Sequence, residues 1–126
     1  MKRFGFLSIL VFFLIIYYGM GCTKSNEEQL QPVTTCDTTS VSYAVDINII
    51  LQQNCNECHG TSSNGGSGGI VLEGYTNLLK WANNGYLSGN VSHAPGYIGM
   101  PYGRNKLPDC EVNKILAWVN QGAKNN

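Results

Sequence analysis

The chain has 126 residues, which fits one small domain, and its eight basic and eight acidic side chains give a formal net charge of zero. The basic residues are scattered along the chain and do not form a cluster. Because nucleic-acid binding needs a basic patch, this charge pattern excludes strong binding to DNA or RNA.

The N-terminal 21 residues have the pattern of a secretory signal peptide. Two basic residues precede an apolar run from 4 to 18, and small residues then lead to Cys22. The run of roughly 15 residues is shorter than the ~20 that a transmembrane helix needs. Small residues directly before a cysteine resemble a bacterial lipobox. We therefore expect a lipoprotein-type signal peptide over 1–21 and lipidation of Cys22, with a plain secretory peptide or an uncleaved anchor as alternatives.

Residues 22–35 are polar and without periodicity, which predicts a tether between a membrane and a folded domain over 36–126. Lipidation would place that domain on a membrane that faces the periplasm or the cell exterior. Cleavage before Cys22 would leave six basic residues against eight acidic ones, a net charge of about −2.

The first helical pattern of the domain leads into a cysteine motif. Apolar residues recur at helical spacing over 45–55, namely Val45, Ile49, Ile50 and Leu51. Residues 60–69 contain five glycines, which predicts a loop, and 70–72 predict a short extended segment. The glycines lack the Gly-Lys-Ser/Thr ending of a phosphate-binding loop and the strand before it, so we reject that interpretation.

Two further helices are predicted in the C-terminal half. Residues 75–83 suit a short helix that ends before Gly85, and 85–106, rich in glycine and proline, predict an irregular loop. The last helix spans 109–122 with Gly122 as its stop. Its apolar face comprises Val112, Ile115, Leu116 and Val119, with Trp118 beside it. The predicted domain is all-α, with three to four short helices and a long loop, and a cofactor or disulfide would stabilise its small core.

The pentapeptide from Cys55 to His59 has the pattern Cys-x-x-Cys-His, the attachment signature of covalent c-type haem. Two thiols three residues apart share one face of a helical turn, where both can bond the vinyl groups along one porphyrin edge. The adjacent His59 can then ligate the iron. A thioredoxin-like redox pair is the alternative, but it needs a preceding strand that the sequence does not predict. We predict one haem c, attached through Cys55 and Cys58.

The sixth iron position is predicted by elimination. Met1 and Met20 belong to the signal peptide, so Met100 is the one thioether of the mature chain. Methionines that only fill space in a hydrophobic core usually lie in periodic apolar stretches, whereas Met100 lies in Gly-Met-Pro. His93 is the alternative ligand, although its loop sequence favours a solvent-facing residue. A His/Met ligand pair raises the reduction potential of the iron.

The remaining cysteines form one pair. Cys22 is assigned to lipid and two cysteines to haem, which leaves Cys36 and Cys110. In an oxidising compartment a disulfide is the economical interpretation, with two free thiols as the alternative. A zinc site would require Cys36 or Cys110 as fourth ligand beside the attachment motif.

Together these residues resemble the small class I cytochrome c family, in particular the monohaem cytochrome c lipoproteins of Bacteroidetes-type bacteria. The resemblance covers about residues 36–124 and is carried by the segments Cys55–His59, Gly68–Leu72, Gly99–Pro101 and Leu107–Ala123. It implies a cytochrome c-like fold in which helices 45–55 and 109–122 cross and enclose the haem, with Met100 as distal ligand.

The resemblance implies a one-electron carrier between redox protein partners, and not an enzyme, because two filled axial positions leave no open iron site. An enzyme or gas-binding haem protein would need Met100 displaced, and a haem-free metal-structured module is a third hypothesis. Haem-packing candidates are Tyr75, Trp81, Tyr97, Tyr102 and Trp118. Arg104 and Lys106 are candidate partners of the haem propionates, with solvated loop charges as the alternative.

Overall fold

The computed structural model describes residues 35–126, and over this range the chain is all-α, as predicted. Helices make up 51% of the described residues, which contain no strand. None of the helices in this range is long and apolar enough to cross a bilayer. The predicted signal peptide over 1–21, the lipidation site Cys22 and all but the last residue of the tether 22–35 lie outside the described residues.

The first helical region begins with a π-helical turn, Tyr43–Ile47, and continues as helix α1, Asn48–Asn54. Ser42 caps this region through its hydroxyl, which accepts a hydrogen bond from the Val45 amide at 3.4 Å. In return, the Ser42 amide donates to the carboxylate of Asp46 at 3.0 Å. The two bonds satisfy backbone donors that the start of a helix otherwise leaves unpaired.

Only part of the apolar pattern of this helical region is buried. Val45 and Ile49 are 67% and 46% exposed, whereas the core residues are Tyr43, Ile47, Ile50 and Leu51. The buried set follows the spacing i, i+4, i+7, i+8, which defines one helical face, and Val45 and Ile49 lie on the opposite side. The apolar pattern contained both faces, and Tyr43 decides between them because it packs on core aromatic rings.

The chain departs from α1 at Cys55, where φ is −118°, and resumes as the four-residue helix α2, Asn56–His59. The predicted glycine loop follows and contains one 3₁₀ turn, Gly65–Ser67. Residues 70–73 have no regular secondary structure and join no sheet.

Helix α3, Tyr75–Asn83, has the predicted bounds and is followed by Gly85 at φ 81°. The irregular loop predicted over 85–106 is wrong in its first part, where helix α4, Tyr86–Ser92, forms. Leu87 and Val91 lie one helical turn apart and are both buried, so tertiary packing offsets the low helix propensity of the glycine between them. With α4 and the interruption at Cys55, five α-helical segments occur in residues 35–126 instead of three to four.

Helix α5, Asp109–Asn120, closes the domain, and Gly122 at φ 92° ends it as predicted. Its buried residues are Val112, Ile115 and Trp118, so the tryptophan lies within the apolar face and not beside it. Trp118 has no exposed surface, and its Nε1 donates to the Lys124 carbonyl at 2.9 Å.

The first helical region and α5 pack against each other and form the centre of the core. The Tyr43 ring centroid lies 6.0 Å from that of Trp118 and 5.2 Å from that of Tyr75. At the edge of this contact, Lys114 Nζ donates to Asp46 Oδ1 at 2.6 Å. The first and last helical segments of the domain are therefore packed together. The Cys-x-x-Cys-His motif follows directly after the first of them in the chain.

Candidate functional site

The two cysteines of the attachment motif are free thiols at the ends of a short helical turn. Cys55 is half-buried and Cys58 is exposed. Burial raises the pKa of Cys55 to about 11, with a smaller contribution from the negative charge of Glu111. A thioredoxin-like cysteine has a lowered pKa at a helix that follows a strand, and the described residues contain no strand. The thioredoxin interpretation therefore does not fit this site.

The imidazole of His59 is held by a backbone carbonyl. Its Nδ1 lies 3.0 Å from the carbonyl oxygen of Ile70. A carbonyl can only accept, so this contact assigns the proton to Nδ1 and leaves the lone pair on Nε2. A hydrogen bond of this kind orients metal-binding histidines and increases their basicity. Nε2 is therefore the ligand atom that His59 offers.

The glycine loop is closed around His59 by hydrogen bonds that the sequence did not indicate. The His59 carbonyl accepts from the Leu72 amide at 2.8 Å, and Ser67 Oγ donates to the Ile70 carbonyl at 2.8 Å. Glu73 Oε2 accepts from both the amide and the hydroxyl of Thr61, at 2.7 and 2.6 Å. These partners are mostly backbone groups, which have no residue-type signature in a sequence.

Residues 99–104, here called the Met100 segment, are held against the end of α4 by hydrogen bonds. The Met100 amide donates to the Asn90 carbonyl at 3.0 Å, and His93 Nε2 donates to the Met100 carbonyl at the same distance. Gly99 packs on the His93 ring, where an added Cβ would lie 3.1 Å from ring atoms. His93, the alternative iron ligand, thus uses Nε2 to hold the Met100 backbone.

Arg104, which the sequence offers as a partner of the haem propionates, pairs with Glu57 of the Cys-x-x-Cys-His motif. Arg104 Nη1 and Nη2 donate to Glu57 Oε2 and Oε1 at 2.9 and 3.0 Å, a bidentate pair between residues that are 47 positions apart. Lys106 Nζ lies 4.0 Å from Asp109 Oδ1. Neither contact was predicted, because opposite charges at such separation leave no local pattern.

The five aromatic haem-packing candidates divide into two groups. Trp118 lies in the protein core, and Tyr75 donates from its hydroxyl to the Ala123 carbonyl at 2.9 Å. Trp81 and Tyr97 both pack edge-on against Tyr86, with ring centroids 6.1 and 5.7 Å apart. Tyr102 is 79% exposed. Of the five candidates, Tyr97 and Tyr102 are exposed, whereas Tyr75 and Trp81 are partly buried.

Cys36 and Cys110 lie at disulfide distance, with their sulphur atoms 2.15 Å and their Cα atoms 5.5 Å apart. This geometry favours the predicted pairing over two free thiols. A disulfide here would also remove both thiols that were to supply the fourth ligand of the zinc alternative. Within residues 35–126, no three His, Cys, Asp or Glu side chains are grouped as metal ligands.

The chemistry-bearing side chains thus fall into two segments that the Glu57–Arg104 pair connects: the attachment motif with its glycine loop, and the Met100 segment on α4. Comparison with known proteins adds no relative, since no protein-family model, curated protein or solved structure matches this chain.

Proposed function

We propose that this protein is a monohaem c-type cytochrome, exported and lipid-anchored, that carries one electron at a time between redox protein partners and is not an enzyme. The hydrogen bond from His59 Nδ1 to the Ile70 carbonyl carries the proposal. It leaves Nε2 available as a ligand atom in a motif whose two cysteines are free thiols, while the other two cysteines of the domain lie at disulfide distance from each other.

The donor set of this chain fits a covalent haem. Cys55 and Cys58 would form the thioether bonds, His59 would be the proximal ligand, and Met100 the distal ligand. The group supplies a reversible Fe(III)/Fe(II) couple when bound. The chain holds the His59 ring in one tautomer and fixes the Met100 backbone at both its amide and its carbonyl, so both ligands are positioned by the protein.

The all-α architecture supports a cytochrome c-like fold. The first helical region and α5 pack through Tyr43, Trp118 and the Asp46–Lys114 pair, in the places that the resemblance assigns to the two crossing helices. The Met100 segment lies between α4 and α5, in the part of the predicted long loop that remains irregular. Arg104 pairs with Glu57 here. The pairing of Arg104 or Lys106 with a haem propionate stays a prediction.

The cellular setting follows from the N-terminal residues. A lipidated Cys22 would attach the domain to a membrane through the polar tether, facing the periplasm or the cell exterior. With both axial positions filled, electrons would pass to and from partner redox proteins without a substrate at the iron. The donor and the acceptor would therefore be proteins that approach the domain from outside.

The attachment chemistry is tested by producing the chain in a haem-attaching host and measuring its intact mass and pyridine haemochrome spectrum. We expect one haem that acidified organic solvent does not extract. Cys55→Ala/Cys58→Ala should carry no covalent haem, whereas Cys36→Ser/Cys110→Ser, the matched control, should retain it. Extraction of the porphyrin from the unmutated protein, or a mass without the haem increment, would end the proposal and leave the haem-free binding module.

Axial ligation is tested on the same material with carbon monoxide. The reduced unmutated protein should bind carbon monoxide slowly, and Met100→Ala should bind it within the mixing time. His93→Ala, which keeps the thioether, should resemble the unmutated protein. Rapid binding by the unmutated protein would instead indicate an open iron position and would favour the gas-binding or enzymatic alternative.

A further inference from the structure

The Glu57–Arg104 pair joins the two halves of the candidate site. Glu57 is one of the two residues between the cysteines of the motif, and Arg104 lies four positions after Met100. Each of the two terminal guanidinium nitrogens donates to one carboxylate oxygen, Nη1 to Oε2 at 2.9 Å and Nη2 to Oε1 at 3.0 Å. This fork-to-fork geometry is the most directional form of an ion pair between side chains.

Exposure limits the strength of this contact. The side chains of Arg104 and Glu57 are 58% and 67% exposed, and ion pairs in such positions contribute little to overall stability. A weak contact can still change how often one short segment opens. The free energy of such local opening is smaller than the free energy of unfolding of the whole domain.

The Met100 segment is the part of the chain on which the pair acts. At one end, the Asn90 carbonyl and the His93 ring hold the Met100 amide and carbonyl on α4. At the other end, the Arg104 amide donates to the Pro101 carbonyl at 3.2 Å, so a turn connects Met100 to the guanidinium. Release of Arg104 from Glu57 would therefore free the second end of this segment only.

We propose that the Glu57–Arg104 ion pair, here called the clasp, positions Met100 by holding the Met100 segment against helix α2. Breaking the clasp would then make the distal ligand easier to displace. This inference rests on the proposed function. Both residues are positioning residues, since they act on the iron site through Met100 and neither would touch the cofactor for this purpose.

The test measures displacement of the distal ligand in the holoprotein by imidazole, followed in the visible spectrum of the ferric form at low ionic strength. Neutralising either partner removes the contribution of one exposed ion pair. This loss should increase the apparent affinity for imidazole about two- to five-fold. We expect that increase for Arg104→Gln and for Glu57→Gln, and the same value for the double variant. Sodium chloride at 1 M should bring the unmutated protein close to the variants, because screening weakens exposed pairs.

Two controls separate the clasp from a general effect of charge. Glu57→Arg/Arg104→Glu keeps the net charge and can re-form the pair in reverse, so it should restore an affinity near that of the unmutated protein. Lys80→Gln removes one exposed cation from α3 and should leave the affinity unchanged. Amide hydrogen exchange provides a second readout, and residues 101–105 should exchange faster in Arg104→Gln.

Unchanged imidazole affinity and unchanged exchange in Arg104→Gln would overturn the clasp, as would an equal increase in Lys80→Gln or no rescue by the charge reversal. Each sample is also analysed for covalent haem. Variants that retain haem but show no effect contradict the clasp alone, whereas an unmutated protein without haem contradicts the proposed function, and the clasp with it.

Discussion

His59 and His93 each contact a backbone carbonyl, and the two contacts have different consequences. His59 uses Nδ1 for the Ile70 carbonyl, which leaves Nε2 for a ligand. His93 uses Nε2 for the Met100 carbonyl, and its backbone adopts a left-handed conformation, φ 55°, that places the ring against Gly99. The sequence identifies His59 through its motif, but it carries no signal for either acceptor, because every residue has a carbonyl.

Gly89 provides a residue-scale prediction. It is buried within α4, and a Cβ added there would overlap the Tyr97 ring at Cδ1. Overpacking of this kind costs about 1–3 kcal/mol, and the helix propensity of alanine offsets about 1 kcal/mol of that cost. We therefore expect Gly89→Ala to lower the free energy of unfolding by up to about 2 kcal/mol. Denaturant unfolding measures the change.

The Tyr97→Ala background is the matched control for this substitution. With the ring removed, only the helix propensity remains, so Gly89→Ala should now stabilise the protein by up to about 1 kcal/mol. Equal destabilisation in both backgrounds would show that the ring contact is not the reason for glycine at this position.

At the scale of elements, the first helical region and α5 are connected by one partly buried ion pair. Lys114 Nζ lies 2.6 Å from Asp46 Oδ1, and the two side chains are 29% and 20% exposed. The hydrogen bond from Lys114 lowers the pKa of Asp46 below its usual 3.8, and the bond from the Ser42 amide lowers it further. A lowered pKa means that the folded state favours the carboxylate, which stabilises the protein where Asp46 is ionised.

We therefore predict that Asp46→Asn lowers the free energy of unfolding by up to about 1 kcal/mol at pH 7. The difference should be constant above pH ~5, where the carboxylate is ionised in both states. It should decrease as the pH falls below the usual pKa of 3.8 and be lost once the pH is below the lowered folded pKa. Asparagine keeps one acceptor oxygen for the Ser42 amide, but its Nδ2 cannot accept from Lys114, so the substitution removes the charge together with the Lys114 hydrogen bond. Urea unfolding between pH 2 and 7 gives the measurement.

A double-mutant cycle with Lys114→Gln provides the control. The coupling free energy between positions 46 and 114 should follow the same pH dependence. A coupling that is zero at pH 7, or that is equal at pH 2 and pH 7, would contradict the electrostatic origin of the contact.

The helices differ in how far local sequence predicts them. The bounds of α3 and the start and stop of α5 were predicted because glycine stops and apolar spacing are local signals. Helix α4 was missed because its seven residues include a glycine and several polar residues, and its stability comes from burial of Leu87 and Val91. Local sequence does not decide which face of the first helical region is buried either, since Val45 and Ile49 are as apolar as their buried neighbours.

At the scale of the whole molecule, the Cys36–Cys110 disulfide links the start of the domain to the first turn of α5. It closes a loop with a sequence separation of 74 residues. The chain-entropy treatment assigns such a loop about 4 kcal/mol of stabilisation, through the unfolded state. We expect Cys36→Ser/Cys110→Ser to lower the free energy of unfolding by roughly that amount, measured by denaturant unfolding of the holoprotein.

Reduction of the unmutated protein is the corresponding control. It should produce the same loss without any substitution, and neither treatment should release the covalent haem that we propose. A loss well below 1 kcal/mol in both cases would show that the unfolded chain is already restrained, as it would be if attachment of the cofactor kept residual structure there.

The sequence alone determined the helical class, the attachment motif and the pairing of the two remaining cysteines. These depend on residue type, short-range spacing and a count of thiols, all of which are local or additive properties. Only the tertiary structure decided which face of the first helical region is buried, that α4 forms, that Ile70 orients His59 and that Arg104 reaches Glu57. Each of those depends on contacts between residues far apart in the chain or on backbone groups, and neither leaves a periodic or compositional signal.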